Sequence, residues 1–587
     1  MHFIINSLMS IKSFIPILDW LPNYNKKWLK GDIAAGLTVG VMLIPQGMAY
    51  ASIAGLPPVY GLYASIVPIL IYAIFGTSRQ LAVGPVAMVS LLTATGIGSF
   101  DGITTEQYIS YAIVLALLVG VIQFLLGILR LGFLVNFLSH PVVSGFTSAA
   151  ALIIGLSQLK HLLGVEIPRS HHVHEILINA IDKIGEINWI ALVIGIIGIL
   201  IIVLSKRIKK SLPGQLFAVI FGILAVSIFG LGQGANAVSI VKDIPDSLPN
   251  FVIPIFDMNV FELLIPMALT ISLISFMESI AVAKAIQTKH RDYKVVANQE
   301  LISLGLANIF GSFFQSYSTT GGFSRTAVND QAGAKTGLAS IISAVLIIIT
   351  LLFLTPYFYN LPKAILASVI MVAVFGLIDF KEAIHLFKSN KTDFWTLIVT
   401  FLSTLSFGVE IGIGVGVVLS LAMVLFKTTN PHTAQLAKVP GSHFYRNIKR
   451  FDNLEEREEI LIYRFDAQLF FANINYFKDK LYDYESRKGD KLKVLIIDGE
   501  SINNIDSTAL HALEEIQEDF NSRGIDIFFT GIKGPLRDKM IRSGFMNKVK
   551  EDHFFMSIQE AVDAYDSIMN MAEKSGKFKK YVKQTNK

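Results

Sequence analysis

The 587-residue chain has no cysteine. Disulfides, thiolate metal sites and cysteine nucleophiles are therefore excluded. It is also short of charge. Asp, Glu, Lys and Arg make up 16% of the residues, against about 25% in soluble chains. The shortfall is uneven: Pro431–Lys587 carries 25 basic and 25 acidic residues, 32% of that stretch, whereas the first 430 residues hold 25 basic and 20 acidic, about 10%. The first part is composed for lipid and the second for water. All of the formal charge of +5 belongs to the lipid-adapted part, so it is not the electrostatic footprint of a nucleic-acid binder. A soluble enzyme of several domains is likewise ruled out.

In place of charge there are long apolar runs. A spanning helix needs about 20 apolar residues. Segments that meet this, or approach it with interruptions, begin near Asp32, Val59, Pro85, Tyr108, Phe133, Asn188, Pro213, Phe261, Val295, Ser324, Gly337, Leu361, Thr392 and Val409. That predicts a polytopic α-helical membrane protein of fourteen segments. Met1–Leu29 is of mixed composition, with Lys26, Lys27 and Trp28 beside the first span, and does not read as a cleavable signal. Lys and Arg collect before the first span and after the fourth, sixth, eighth and twelfth, all on one side if the N-terminus is cytoplasmic. An even number of spans returns the C-terminus to that side. The expected divisions are a cytoplasmic segment 1–30, a transmembrane domain 31–430, a cytoplasmic domain 431–570 and a basic flexible tail 571–587.

Segment starts in the two halves differ by a nearly constant distance. The first and eighth lie about 229 residues apart, the third and tenth about 239, and the fifth and twelfth about 228. Two repeats of seven spans follow, and because seven is odd the second inserts upside down. The third and tenth segments are short and broken, at Ala82–Ala87 and Thr320–Arg325. Broken helices at matching repeat positions point to a midplane binding site. Half-helices starting there aim N–H groups and positive dipole ends at a shared cavity, which attracts anions. Arg325 adds a permanent charge, Ser324 and Thr326 supply hydroxyls, and Glu278 in the eighth span is a carboxylate able to pair with Arg325 or to exchange a proton. Gln46 and Tyr50 share one helix face beside Pro45. His171, His172 and His174 lack a fourth ligand and read as a solvated loop, so no metal is expected. His140-Pro141 reads as a helix end, and Gly412, Gly414 and Gly416 as packing. After Leu461, strand–helix alternation predicts a small α/β domain, with Asp506 as N-cap of a helix beginning at Ser507.

Long motifs then carry a resemblance. Ile44-Pro45-Gln46-Gly47-Met48-Ala49-Tyr50-Ala51, Gly76–Gln80, Leu138–Phe146 and Ala297–Asn308 are similar, in the right order, to the sulfate permease (SulP) family of anion transporters with a C-terminal STAS domain, over about residues 15–570. The resemblance implies a uracil-permease-like 7+7 inverted repeat with spans one to four and eight to eleven as core and the others as gate. It implies a small anion (sulfate, bicarbonate or a related oxyanion or carboxylate) bound near Pro85, Val86, Phe323, Ser324 and Arg325, with Gln46 and Tyr50 alongside. It further implies elevator-type transport by a homodimer in the plasma (inner) membrane, with H⁺ favoured over Na⁺ at Glu278 and no cofactor. Asp506-Ser507-Thr508 resembles the STAS loop that is phosphorylated in soluble relatives, which makes Ser507 a candidate phosphosite and a cytoplasmic protein a candidate partner. Two rivals remain: an uncoupled exchanger or channel on the same fold, and a membrane-anchored anion sensor that signals through the C-terminal domain.

Overall fold

The computed structural model describes residues 14–98, 100, 102–133, 139–167, 173–208, 212–234, 236–255 and 257–574, with the backbone alone at 409, 410 and 572–574. The contacts divide the chain into two compact units at Ser420/Leu421.

Each of the fourteen expected segments is helical among the described residues, the last running from Val409 past Ser420 to Thr429. Among the described residues, eight helices are long and apolar enough to cross a bilayer. Local signals set several of their ends. Asn25 accepts the Lys27 N–H ahead of α1 (Leu29–Ile53), and Thr104 and Gln107 form a reciprocal capping box ahead of Thr105–Ile128. Asp257 caps α3 (Met258–Gln287) and Asn390 caps Lys391–Phe407. These side chains satisfy N–H groups that a helix start leaves without partners. The second segment is not one helix. It breaks into Val59–Tyr63 and Val67–Phe75, with Pro68 at the start of the second piece. The proline cannot donate to a preceding turn and disfavours helix just before itself.

The third and tenth segments are shorter still. The chain runs extended through β1 (Val83–Gly84) into α2 (Ala87–Gly98), and through β2 (Thr320–Gly321) into α5 (Phe323–Ala332). Helices of 12 and 10 residues rise about 18 and 15 Å, roughly half the depth of a bilayer core. β1 and β2 pair antiparallel, Val83 with Gly321 and Gly84 with Thr320. This is the arrangement expected where two inverted repeats meet.

Most of α1 is buried, from Met42 through Ala51 without interruption. Its neighbour Val59–Tyr63 approaches so closely that a Cβ on Gly61 would run into the Gly47 carbonyl. Small residues at such a crossing let backbones touch, which drives helix association in lipid, where apolar burial between helices gains little.

The second unit is an α/β domain. Its sheet has the order β4–β3–β5–β6–β7–β8, formed by Tyr445–Asn447, Thr433–Lys438, Ile460–Phe465, Val494–Asp498, Asp526–Thr530 and Phe554–Phe555. β5 to β8 are parallel, and β3 is antiparallel to both its neighbours. Alternate residues of the central strands face opposite cores. Leu461, Tyr463, Leu495, Ile497 and Phe529 meet α6 (Ile474–Lys488) and α7 (Ser507–Ser522). Ile460, Ile462, Val494, Ile496 and Phe528 meet α8 (Ile558–Lys574). Sheets covered on both faces read as continuous apolar runs, as these strands do. The last helix continues to Lys574, into the stretch expected as a tail, and 575–587 lie outside the described residues.

Gly61→Ala is expected to force α1 and Val59–Tyr63 apart, costing about 1–3 kcal/mol as other overpacked sites do. The check is a lower melting temperature of the detergent-purified protein, together with a reduced folded yield.

Candidate functional site

Antiparallel pairing alone would leave the crossing of β1 and β2 weak, because two residues per strand make few bonds. Side chains reinforce it. The Ala82 N–H donates to Thr326 Oγ1 at 3.0 Å, Thr326 donates to the Gly322 carbonyl at 2.7 Å, and the Gly322 N–H donates back to the Ala82 carbonyl at 3.0 Å. Thr326 therefore locks the start of α5 to β1, and its hydroxyl is fully committed to the backbone. From α3, Ser279 Oγ accepts the Gly321 N–H at 2.8 Å and lies 2.7 Å from the Thr320 hydroxyl, which donates to the Ser275 carbonyl at 2.7 Å. Asn308 of α4 (Ala297–Ser312) accepts the Thr319 N–H at 2.7 Å and donates to the Thr319 carbonyl at 3.1 Å. Isolated Ser, Thr and Asn in apolar helices act here as the glue between segments.

Arg325 sits in the first turn of α5 and is 2% exposed. Its Nη1 donates to the Pro85 carbonyl at 2.6 Å, whereas Nε and Nη2 are buried without a partner among the described residues. Glu278, on the same helix as Ser275 and Ser279, is half-buried. It comes within electrostatic range of Arg325, yet no carboxylate lies within 4.0 Å of that guanidinium among the described residues. The structural ion pair open to the sequence does not form. Tyr50, buried on α1, also faces the field of Arg325 and Glu278, and Gln46, one turn earlier, buries Oε1 without a partner. Pro85 and Val86 are buried at the start of α2, while Phe323 and Ser324 are exposed at the start of α5. The candidate anion-site and coupling residues thus lie on α1, α3 and the two half-helix entries.

Reading the sequence missed Tyr317, which is 1% exposed, lies within range of Arg325 and Tyr50, and shares a 3.0 Å hydrogen bond with Ser90. A Tyr just before a broken segment was its only signal. Glu300 lies within the Ala297–Asn308 motif. It is fully buried and accepts hydrogen bonds from the Tyr72 hydroxyl, both the N–H and the hydroxyl of Thr77, and the Ser78 N–H. It fixes the turn that leads into β1. Asp32 does the same for the turn after α5, accepting from Lys335 N, Thr336 N and the Thr336 hydroxyl. In the second unit Asp506 caps α7 by accepting the Ala509 N–H at 2.9 Å, and Ser507 is exposed at the first helical position. His171 and His172 lie outside the described residues, and His174 falls in the helix Val173–Asp182.

Apolar helices at this density, with two crossed half-helices between inverted repeats, define a polytopic membrane transporter rather than an enzyme. Residues 29–400 match the sulfate permease family and residues 453–561 the STAS domain. The chain belongs to the sulfate permease family. Sulfate transporter 4.1, chloroplastic, from Arabidopsis thaliana is 41% identical over 567 residues, spanning 94% of this chain and 82% of that protein. The structure of the murine solute carrier 26 family member A9 anion transporter, in the inward-facing state, is similar at a TM-score of 0.87 and 27% identity, covering 95% of each chain. The transmembrane domain of a cyanobacterial bicarbonate transporter, BicA, shares the fold at 20% identity and a TM-score of 0.59, covering 68% of this chain and 98% of that one.

Thr326→Val keeps the volume but strands the buried Ala82 N–H, at a cost of about 1–3 kcal/mol. The expected result is a drop of several degrees in melting temperature that Thr326→Ser largely reverses.

Proposed function

We propose that the chain is a secondary active transporter of small anions, sulfate foremost, that works by alternating access with H⁺ as the coupling ion. The observation that carries this reading is Arg325: a buried guanidinium with two unpartnered nitrogens, set where two half-helices begin. A charge taken out of water costs several kcal/mol unless it is paired, so an arginine kept in this state is suited to a counter-ion that comes and goes. The N-termini of α2 and α5 add positive partial charge and free N–H groups at the same place. Sulfate is favoured by the plant relatives whose names give that substrate.

Glu278 supplies the coupling. When the anion is bound, the Arg325 charge is neutralised and a proton on Glu278 keeps the pocket near neutrality. When the anion leaves, an ionised Glu278 balances Arg325 across the gap that separates them. Gln46, Tyr50, Pro85, Val86, Phe323 and Ser324 line the path, and Thr326 holds its floor. The hydrogen bonds joining β1, β2, α3 and α4 suit a body that moves as one against the remaining helices in an elevator-type step, within a homodimer. The clustering of Lys and Arg on one side supports cytoplasmic termini. The plasma membrane is the membrane we assign, although the plant relative named above is chloroplastic. Ser507, exposed at a helix N-terminus that favours negative charge, remains our candidate for phosphorylation and for engagement of a protein partner.

Two variants test this. Arg325→Ala should lower sulfate uptake into proteoliposomes by at least a hundredfold while the protein still inserts and purifies as a single species; normal uptake would remove the site. Glu278→Gln should abolish the acceleration that an inward proton gradient gives to the wild type. Unaltered gradient dependence would refute the coupling role.

A further inference from the structure

We propose that the cleft between the end of the helix Thr105–Ile128 and α3 binds the phosphate headgroup of an anionic phospholipid, gripped by Arg130 and Lys284. The proposal is independent of how the transported anion is held, since neither residue belongs to that site.

A cavity of about 420 Å³ opens where these two helices end. Arg130 and Lys284 line it together with Met277, Ile280, Phe133 and Asn298. Met277, Ile280 and Lys284 recur on one face of α3 at helical spacing, so an apolar wall leads to the ammonium. Both cations are exposed. Among the described residues no carboxylate lines the cavity, and neither cation makes an ion pair. Two uncompensated positive charges around one recess attract a negatively charged group.

Arg130 stands there against its own backbone preference. The chain leaves Thr105–Ile128 through a Schellman turn, in which the Arg130 N–H donates to the Gly127 carbonyl at 3.1 Å and the Leu131 N–H to the Leu126 carbonyl at 2.8 Å. Arg130 takes the left-handed position of that turn, at φ +58°, which is ordinarily given to glycine. Any Cβ costs stability at such an angle, so the turn by itself does not account for an arginine. Asn298 steadies the same turn by accepting the Gly132 N–H at 2.9 Å, which ties it to the start of α4.

The surroundings favour a lipid over a soluble phosphate. Val121, Leu125, Ile128 and Leu129 are exposed along one side of the chain that leads to Arg130, at the spacing of a single helix face. In a bilayer that stripe is covered by acyl chains, and the two cations stand where it ends. Spans four and eight are both even-numbered, so Arg130 and Lys284 reach the same side of the membrane. Basic pockets between spans at a membrane face suit lipid phosphates.

The test measures binding of short-chain phosphatidylglycerol and phosphatidylcholine to the full chain in detergent, by native mass spectrometry. Each cation near the phosphate is worth roughly fivefold in affinity, so wild type should prefer the anionic lipid by about tenfold or more. Lys284→Gln should cut the preference by about fivefold, and Arg130→Gln combined with it should remove most of the remainder. Arg207 ends another span, Trp189–Ile208, and Arg207→Gln should leave the preference unchanged. Arg130→Gly should raise the melting temperature by relieving the left-handed turn while lowering the preference, which separates binding from folding. Equal binding of the two lipids by wild type overturns the proposal. So does an unchanged preference in the folded double variant, or an equal loss in Arg207→Gln. Displacement of bound phosphatidylglycerol by millimolar glycerol phosphate would assign the cavity to a free phosphate and overturn it as well. A lower melting temperature with intact preference in Arg130→Gly would make that arginine structural, with the same consequence.

Discussion

A positive charge held away from water at the meeting point of two half-helices is the constraint around which the first unit is built. Among the described residues the guanidinium of Arg325 has one hydrogen-bond anchor, the Pro85 carbonyl, and no carboxylate within 4.0 Å. A site so poorly neutralised persists only if its surroundings cannot relax around it. The surroundings are accordingly over-determined. Each strand of the two-residue pairing is stitched to a neighbouring helix, through Thr326, Ser279 and Asn308, and the turns on either side are pinned by the buried carboxylates of Glu300 and Asp32.

This economy suits lipid. With no water to satisfy stray backbone groups, extended chain is tolerated at membrane depth only where every N–H and C=O finds a partner inside the protein. The small polar side chains provide those partners in place of additional strands. They also tie α3 and α4 to the extended chain leading into α5, through Ser279 to Thr320 and Gly321 and through Asn308 to Thr319. The second unit solves the opposite problem. In water its parallel strands are buried by helices on both faces, and its charges are spent on surface pairs of modest worth.

The segment count, the two-solvent division and the positions of the two breaks were legible in the sequence, because each depends on local composition. Runs of apolar residues must be helical in lipid, and Ala-Val-Gly-Pro or Thr-Gly-Gly interrupts them wherever it occurs. The Asp506 cap was legible for the same reason. The break at Ala64–Ile66 was missed because an apolar run conceals a change in direction that depends on packing and on Pro68. Tyr317 and the structural role of Glu300 were missed because neither has a local signature. Their partners, Ser90 and the Thr77 turn, are each more than 200 residues away.

By itself the sequence determined which residues would be charged inside the membrane and that two of them, Glu278 and Arg325, lie on the first and third segments of the second repeat. Only the tertiary structure decided that these two remain apart, that the Thr326 hydroxyl serves the backbone, and that Arg325 hydrogen-bonds to the Pro85 carbonyl. The reason is geometric. Pro85 and Arg325 are 240 residues apart, and the direction of a hydrogen bond between them is set by how two inverted repeats cross, which no local pattern of residues encodes.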